Sequence, residues 1–469
     1  MLYRKGAVEG EVPNFILNFT SSLEYDKKIA KATVKVVIAH IEHLCEINAI
    51  STNVCHKILE ALKELYDVIL ENYPNGKFED VHEYIEYYIV NKLGEDVGGY
   101  VNLGKSRNDQ VVTAIRIVLK DEIINLLKGI VKFQHVLLNK AKEHVETLVP
   151  GFTHLQKAQI TTLAHHFLAF YDALDRDYER IYGSLERIDA SPLGSAAMVG
   201  NTIPGYDRVR VAKKLGFSKI VENTEDAIAS RDFILEAIFN IAILINNISR
   251  IVEDLILWSI DELGYVMLPE CHVATSSIMP HKRNPVTLEI IRARAAKVLG
   301  YVTSAYALLK SLPYSYNLDL QELTPILWGI IDECKEILAI LSDLLSKIKI
   351  NEERLFKSVS ESITLCFSDL AEYITLKYGV PFRKVHRVLG EISKNKPITL
   401  HSVSEHLREK LSVNIKESEL KEILNPIHSL KMKSVTGSPN PKEVRSLINK
   451  RIRSLIDKES KLSRLRSKS

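Results

Sequence analysis

Cysteine is sparse, and its placement excludes more than it offers. The five cysteines, Cys45, Cys55, Cys271, Cys334 and Cys366, are scattered without the close spacing of a zinc site. An odd count argues against a disulfide framework, so a reducing cytoplasm is the simplest setting. Charge of one sign is also missing in excess: 62 Lys and Arg face 59 Asp and Glu, a net charge of +3. Neither nucleic acid nor an anionic membrane is demanded by that balance. The opening MLYRKGAVEG lacks the apolar core of a signal peptide, and the greasy stretch from Ala237 to Leu244 soon meets Asn246 and Asn247. No secretion signal and no membrane span are expected. There is no GxGxxG, no HExxH, no CxxC and no GxSxG, and neither a nucleotide-binding loop nor a conventional hydrolytic serine is expected. His40 with His43, and His165 with His166, lack an acidic or cysteine partner and are expected to be ordinary histidines.

What is present is long amphipathic helix. Val111, Ile115, Leu119, Ile123, Leu127, Ile130 and Leu137 track one face between Arg107 and Leu148. Comparable helices are predicted over Thr162 to Leu185, Arg231 to Leu263, Val286 to Leu312 and Pro325 to Ile348. The third is apolar nearly all round, which places it at the centre of a bundle or of an oligomer. Prolines at 381, 397, 426, 439 and 441 punctuate the region after Ile350. An all-α, three-domain chain follows: an N-terminal helical domain over 1–102, a central long-helix bundle over 103–350, and a smaller helical domain over 351–469. Its basic, Ser-rich end, Lys450 to Ser469, is expected as a solvated helix that frays.

Polar clusters interrupt this pattern where a bundle needs none. The densest is Ser276-Ser277-Ile278-Met279-Pro280-His281-Lys282-Arg283-Asn284-Pro285, two hydroxyls, cations and an amide running into a helix with Asn284 as N-cap and Pro285 at N1. Such a helix start suits a carboxylate or a developing oxyanion. Taken alone it is an ordinary capped loop. Gly104 to Gln110 leads into the longest helix, with Ser106 or Asn108 as cap and Arg107 offering bidentate carboxylate binding. In Gly151-Phe152-Thr153-His154-Leu155-Gln156 a histidine is held between a turn and a helix, where it could protonate a leaving group. Asp80-Val81-His82, Ser230-Arg231-Asp232 and Tyr316 to Gln321 complete the set.

In this order the clusters resemble the fumarase/aspartase superfamily and, within it, the argininosuccinate lyase branch, over essentially the whole chain. Ser22 and Asp26 in FTSSLEYD, Asp80-Val81-His82, Lys105 to Gln110 (KSRNDQ), Gly151 to Gln159 (GFTHLQKAQ), Ser191 to Gly200 (SPLGSAAMVG), Ser230 to Phe233 (SRDF), Tyr316 to Gln321 (YNLDLQ) and Gly379 to Arg383 with His386 carry the likeness. The resemblance implies a mostly α-helical homotetramer whose sites draw on three subunits. It implies reversible anti β-elimination of argininosuccinate to arginine and fumarate, without metal or cofactor. By the same resemblance Ser276 is the general base, His154 the general acid, and Lys282 and Asn284 hold the charge that develops. Arg107, Asn108, Thr153 and Ser277 would hold the succinyl carboxylates, and Ser22, Asp26, Tyr316 and Gln321 the arginine part, with His82 and Arg231 also lining the site. Some residues depart from the branch pattern. Thr275 replaces a glycine, Asn102-Leu103 a His-Thr pair, Ile160 a proline and Thr324 a lysine. His281-Lys282-Arg283 is closer to adenylosuccinate lyases, which remain the alternative. A non-catalytic, crystallin-like tetramer is the second alternative.

Overall fold

The computed structural model describes residues 12–394 and 397–466, which hold twenty α-helices and four short two-stranded pairings. Five long helices form the centre: Arg107–Glu143, Leu163–Ile188, Asp232–Ser259, Val286–Leu309 and Leu323–Lys347. Each lies within a few residues of its expected span, because the apolar stripe sets where a helix is needed and capping sets where it begins. Thr162 caps the second by accepting from His165 N at 3.2 Å. Ser106 caps the first: its hydroxyl accepts from Asn108 N at 3.3 Å, and Asp109 Oδ1 accepts from Ser106 N at 3.0 Å.

The Asp232–Ser259 helix buries Ile234, Ile241, Ile245, Ile248 and Leu255 in the main core, yet Phe239 and Ile243 on its other side stay about two-fifths exposed. By length and composition it could cross a membrane, but here it packs along the Leu163–Ile188 and Val286–Leu309 helices. Residues before the bundle form their own core between the Ala30–Glu46, Thr52–Val68 and Val81–Leu93 helices. A third core gathers Val359, Leu370, Val385, Leu407 and Leu420 after it.

The last helix, Pro441–Arg466, corrects the expectation of a solvated, fraying tail. It returns to the bundle and adds Val444, Ile448, Leu455 and Leu462 to the main core. Lys458 is buried there, bonded to Gln134 Oε1 at 3.0 Å, paired with Asp175 and lying over the Tyr178 ring at 4.3 Å. Residues 467–469 lie outside the described set.

Two further corrections concern local structure. Cys45 and Cys55 are disulfide-bonded, with a Cα–Cα distance of 5.9 Å, against the inference drawn from the odd cysteine count. The left-handed Asn48 (φ 56°) turns the chain back so that consecutive helices bring the two together, and Cys271, Cys334 and Cys366 are left over. Closing so short a loop stabilises the fold by roughly 3 kcal/mol in the chain-entropy model. Residues Leu148–Thr153 and Gln156–Thr162 form an antiparallel hairpin, so His154 sits on a hairpin tip and not at a helix entry. His154 and Leu155 both have positive φ, 55° and 57°, the geometry of a two-residue type I′ turn.

Candidate active site

The first half of the site lies at one end of the bundle, where the chain enters several helices. Val81–Leu93 is capped by Asp80, whose Oδ1 accepts from Glu83 N at 2.8 Å; Arg107 opens the longest helix, Arg231 is the N-cap of Asp232–Ser259, and Thr324 lies in the first turn of Leu323–Lys347. These residues line a cavity of about 40 Å³ together with Ser22, Asp26, His82, Tyr316 and Gln321. Helix N-termini carry partial positive charge and unpaired amides, so their convergence suits a carboxylate-bearing ligand. The structure therefore brings together seven residues expected from sequence: Ser22, Asp26, His82, Arg107, Arg231, Tyr316 and Gln321.

Their partners give the wall its electrostatics. Arg107 pairs with Asp80 at 2.7 Å and with Glu79 at 3.3 Å, so its cation already has carboxylates. Arg231 is buried and donates to the carbonyls of Ile228 and Ser230 at 3.0 and 2.9 Å, while its Nε has no partner among the described residues. Burial lowers its pKa to about 10, with Tyr316 opposing. Asp26 accepts from Ser22 Oγ at 2.7 Å and from Val81 N at 3.3 Å, yet burial pushes its pKa up to about 7. Burial also holds Asp80 above the usual carboxylate range and drives the His82 imidazole well below its ordinary value, with Arg107 and Lys105 adding to the second effect. His82 is thus a neutral ring in this wall. Gln321 is fixed by its Nε2 donating to Thr20 O at 3.1 Å.

Behind the wall, Asp109 explains why Ser191 to Gly200 belongs to the constellation. Its Oδ2 accepts from Gly194 N at 3.0 Å and Ala196 N at 2.9 Å, tying that loop to the start of the longest helix. Asn108 reaches the same loop through Nδ2 to Ala197 O at 3.0 Å. Gly99 to Ser106 does match the spacing GxxxxGK[ST], against the expectation that no such loop occurs. It is no phosphate cradle: a short helix precedes it in place of a strand, its first four residues form a 3-10 turn, and the Lys105 ammonium turns inward to Asn102 and to Gln110 Oε1 at 3.2 Å.

The second half lies elsewhere on the same chain. Ala274–Thr275 pairs antiparallel with Arg283–Asn284, so 276–282 is a loop pinned at its root. Asn284 is therefore a strand residue, and Pro285 takes the N-cap place with the helix starting at Val286, which corrects the expected cap. Thr275, present where the branch has glycine, occupies the pinned strand, where a β-branched side chain fits. Ser276 Oγ has one hydrogen-bond partner among the described residues, Ile278 N at 3.4 Å. Arg283 is held by Glu270 at 2.8 and 3.1 Å; Lys282 is exposed and has no acidic partner among the described residues. Ser277, Thr153 and His154 are exposed as well, and neither the loop nor the hairpin tip lines the 40 Å³ cavity. The structure does not bring Ser276, Ser277, Lys282, Asn284, Thr153 or His154 to the wall within one chain.

Comparison with known proteins now decides the family. Residues 6–300 match a family model described as a lyase. The argininosuccinate lyase of Methanocorpusculum labreanum is 40% identical over 95% of this chain and 91% of its own length. That of Methanocaldococcus jannaschii is 37% identical over 98% and 95%. The chain belongs to the argininosuccinate lyase family. Its fold agrees with that assignment: an EDDS lyase solved with formate superposes with a TM-score of 0.86 at 22% identity, covering 100% of this chain and 95% of that one. A class II fumarase from Schistosoma mansoni gives 0.74 at 18% identity over 85% and 90%.

Within this fold, some neighbours of the candidate site residues had no strong sequence signal. Glu79 and the carboxylate of Asp80 neutralise Arg107, which only a fold that packs residue 80 against residue 107 can reveal. Thr324, noted only as a departure, is buried and lines the cavity with the others. His40 is an ordinary histidine, bonded to Tyr206 Oη and Leu103 O, both at 2.8 Å, but His43 lies 3.4 Å from Glu46 Oε2 and His166 3.2 Å from Asp254 Oδ2, acidic partners that the sequence did not lead one to expect. The one group of metal-capable donors among the described residues, Cys271, His272 and Asp343, lies outside this wall.

Proposed function

We propose that this chain cleaves argininosuccinate by reversible anti β-elimination, releasing arginine and fumarate. The observation that carries the reading is the wall at the helix N-termini, with Arg107 and Arg231 as cations and Asp26 and Asp80 as acids, in a chain that matches argininosuccinate lyases along nearly its whole length. A substrate with carboxylates at one end and a guanidinium and ammonium at the other needs both signs of charge in one place.

In the forward direction Ser276, as an alkoxide, takes the proton from the carbon next to a succinyl carboxylate. The resulting aci-carboxylate carries extra negative charge, which Lys282, Asn284 and neighbouring backbone amides stabilise. Collapse of that charge forms the fumarate double bond and breaks the carbon–nitrogen bond. The nitrogen leaves on arginine and takes a proton from His154. Arg107, Asn108, Thr153 and Ser277 hold the succinyl carboxylates; Ser22, Asp26, Tyr316 and Gln321 hold the arginine part, with His82 and Arg231 completing the lining. Thr324 leaves that part of the wall without a lysine, so the task of binding carboxylate falls more heavily on Arg231.

A cavity of about 40 Å³ has room for only one or two water molecules. Its missing sides are supplied, in this reading, by the Ser276 loop and the His154 hairpin of other copies in a homotetramer. The exposed apolar residues Phe239, Ile243, Ile290, Leu299 and Tyr306 on the bundle helices support such an assembly, since a monomer gains nothing by showing them to water. A small-molecule substrate, a cytoplasmic setting and no nucleic-acid or membrane partner go with this reading.

The trio His281-Lys282-Arg283 favours one second reading, adenylosuccinate cleavage. Offering the purified chain argininosuccinate, adenylosuccinate, malate and aspartate in parallel, with fumarate followed by absorbance, separates the two. Argininosuccinate is expected to give the highest kcat/KM by at least about a hundredfold, because a site built to pair charged groups rejects ligands lacking them. Preference for any other substrate overturns the assignment, and no turnover of any supports the crystallin-like role.

A further inference from the structure

The segment that enters the Ser276 loop carries donors the elimination does not use. His272 is 7% exposed, and its Nε2 lies 3.0 Å from Asp343 Oδ2, one turn before the end of the Leu323–Lys347 helix. Its Nδ1 is buried without a hydrogen-bond partner among the described residues, where Asp343 alone holds the ring. The Cys271 thiol is exposed beside them, and one ligand atom from each of the three residues lies within 4.8 Å of the others. A tetrahedral ion with metal–ligand bonds of about 2.0–2.3 Å needs its donors roughly 3.3–3.7 Å apart. The longest separation in the group exceeds that spacing by up to about 1.5 Å, a gap that side-chain rotation at the exposed Cys271 closes.

We propose that Cys271, His272 and Asp343 form a binding site for one thiophilic divalent cation of the Zn²⁺ class, with solvent as the fourth ligand. Sulfur, imidazole nitrogen and a single carboxylate select such an ion over Mg²⁺ or Ca²⁺, which need several oxygen donors. A thiolate and a carboxylate also balance its charge. Lys347 currently holds Asp343, at 2.6 Å from Oδ1 and 2.8 Å from Oδ2. Its side chain is half-exposed and swings into water when the cation binds. Because the Ala274–Thr275 strand begins two residues after His272, the bound ion ties the root of the Ser276 loop to the end of a bundle helix.

The full-length protein, stripped with chelator and returned to metal-free buffer, is titrated with ZnSO₄ by calorimetry beside Cys271→Ser and Asp343→Asn. Cys271 is exposed and an asparagine at 343 can still accept from His272, so neither change threatens the fold, and circular dichroism checks this. Wild type is expected to bind one Zn²⁺ per chain, at least about tenfold more tightly than either variant. Its thermal midpoint is expected to rise on saturation while those of the variants stay put, and Zn²⁺ but not Mg²⁺ is expected to protect Cys271 from alkylation. Equal Zn²⁺ affinity in wild type and both variants, or no binding at all, overturns the site. The readouts are binding, stability and thiol protection, so the outcome is independent of whether the chain cleaves argininosuccinate.

Discussion

Replacing Ser276 by alanine is expected to reduce fumarate release by on the order of 10²–10⁴-fold, the usual contribution of a positioned proton-transfer group. The fold gives little other cause for such a loss. The loop is pinned by the Ala274–Thr275 and Arg283–Asn284 pairing, which the substitution leaves intact. The single hydrogen bond of Ser276 Oγ, at 3.4 Å from Ile278 N, is long and near the surface, so removing it costs about 1 kcal/mol or less. Oligomeric state, thermal midpoint and KM should therefore stay close to wild type while kcat falls. A serine used only to bind substrate raises KM with kcat nearly unchanged. Near-normal turnover in the variant removes Ser276 from the role of base.

Lys282→Ala is expected to cost about 10²–10³-fold in kcat, equivalent to roughly 2.7–4 kcal/mol of lost stabilisation where charge develops. Two cations stand side by side here, and they differ in their partners. Arg283 is committed to Glu270 at 2.8 Å, whereas the Lys282 ammonium is exposed and has no acidic partner among the described residues. Exposed and unpaired, Lys282 contributes little to stability, so its loss should register in catalysis alone. Arg283→Ala is the control: it breaks a surface pair worth about 0–1 kcal/mol and should reduce kcat only modestly. Equal losses in the two variants would reduce Lys282 to a source of diffuse positive charge.

The bundle was legible because burial imposes a period on sequence. Val111 to Leu137 repeat at helical spacing since one face of that helix must meet its neighbours, and the same logic located four more helices. The hairpin carrying His154 escaped for a definable reason. Its turn residues are His154 and Leu155, with none of the glycine or asparagine that signals a type I′ turn, and Pro150 lies within its first strand. Asn284 has the chemistry of a cap, but strand pairing with Ala274 claims its backbone. Buried charge was equally silent. Arg116 lies over the Phe233 ring at 3.8 Å and donates to Arg187 O at 2.7 Å, a core arginine that nothing in the helical pattern distinguishes from a surface one. The candidate site was legible as residue types and order; its division between the wall and the loop was not, because separation in space leaves no trace in spacing along the chain.

That division makes the account's central claim testable in one measurement. Arg107 belongs to the wall and Ser276 to the loop, so a site assembled between copies can be rebuilt from two different defects. Arg107→Ala leaves Asp80 without its partner, but burial already holds that carboxyl above the usual range, so it can take a proton and the fold should survive. The measurement is fumarate release from argininosuccinate by Ser276→Ala and Arg107→Ala chains, each alone and then co-expressed with different affinity tags so that mixed oligomers can be isolated. Each variant alone is expected to be inactive, and the mixed oligomers are expected to recover a readily measured fraction of wild-type turnover, from sites that combine an intact wall with an intact loop. Mixed oligomers that assemble but stay as inactive as their parents would contradict a site shared between subunits.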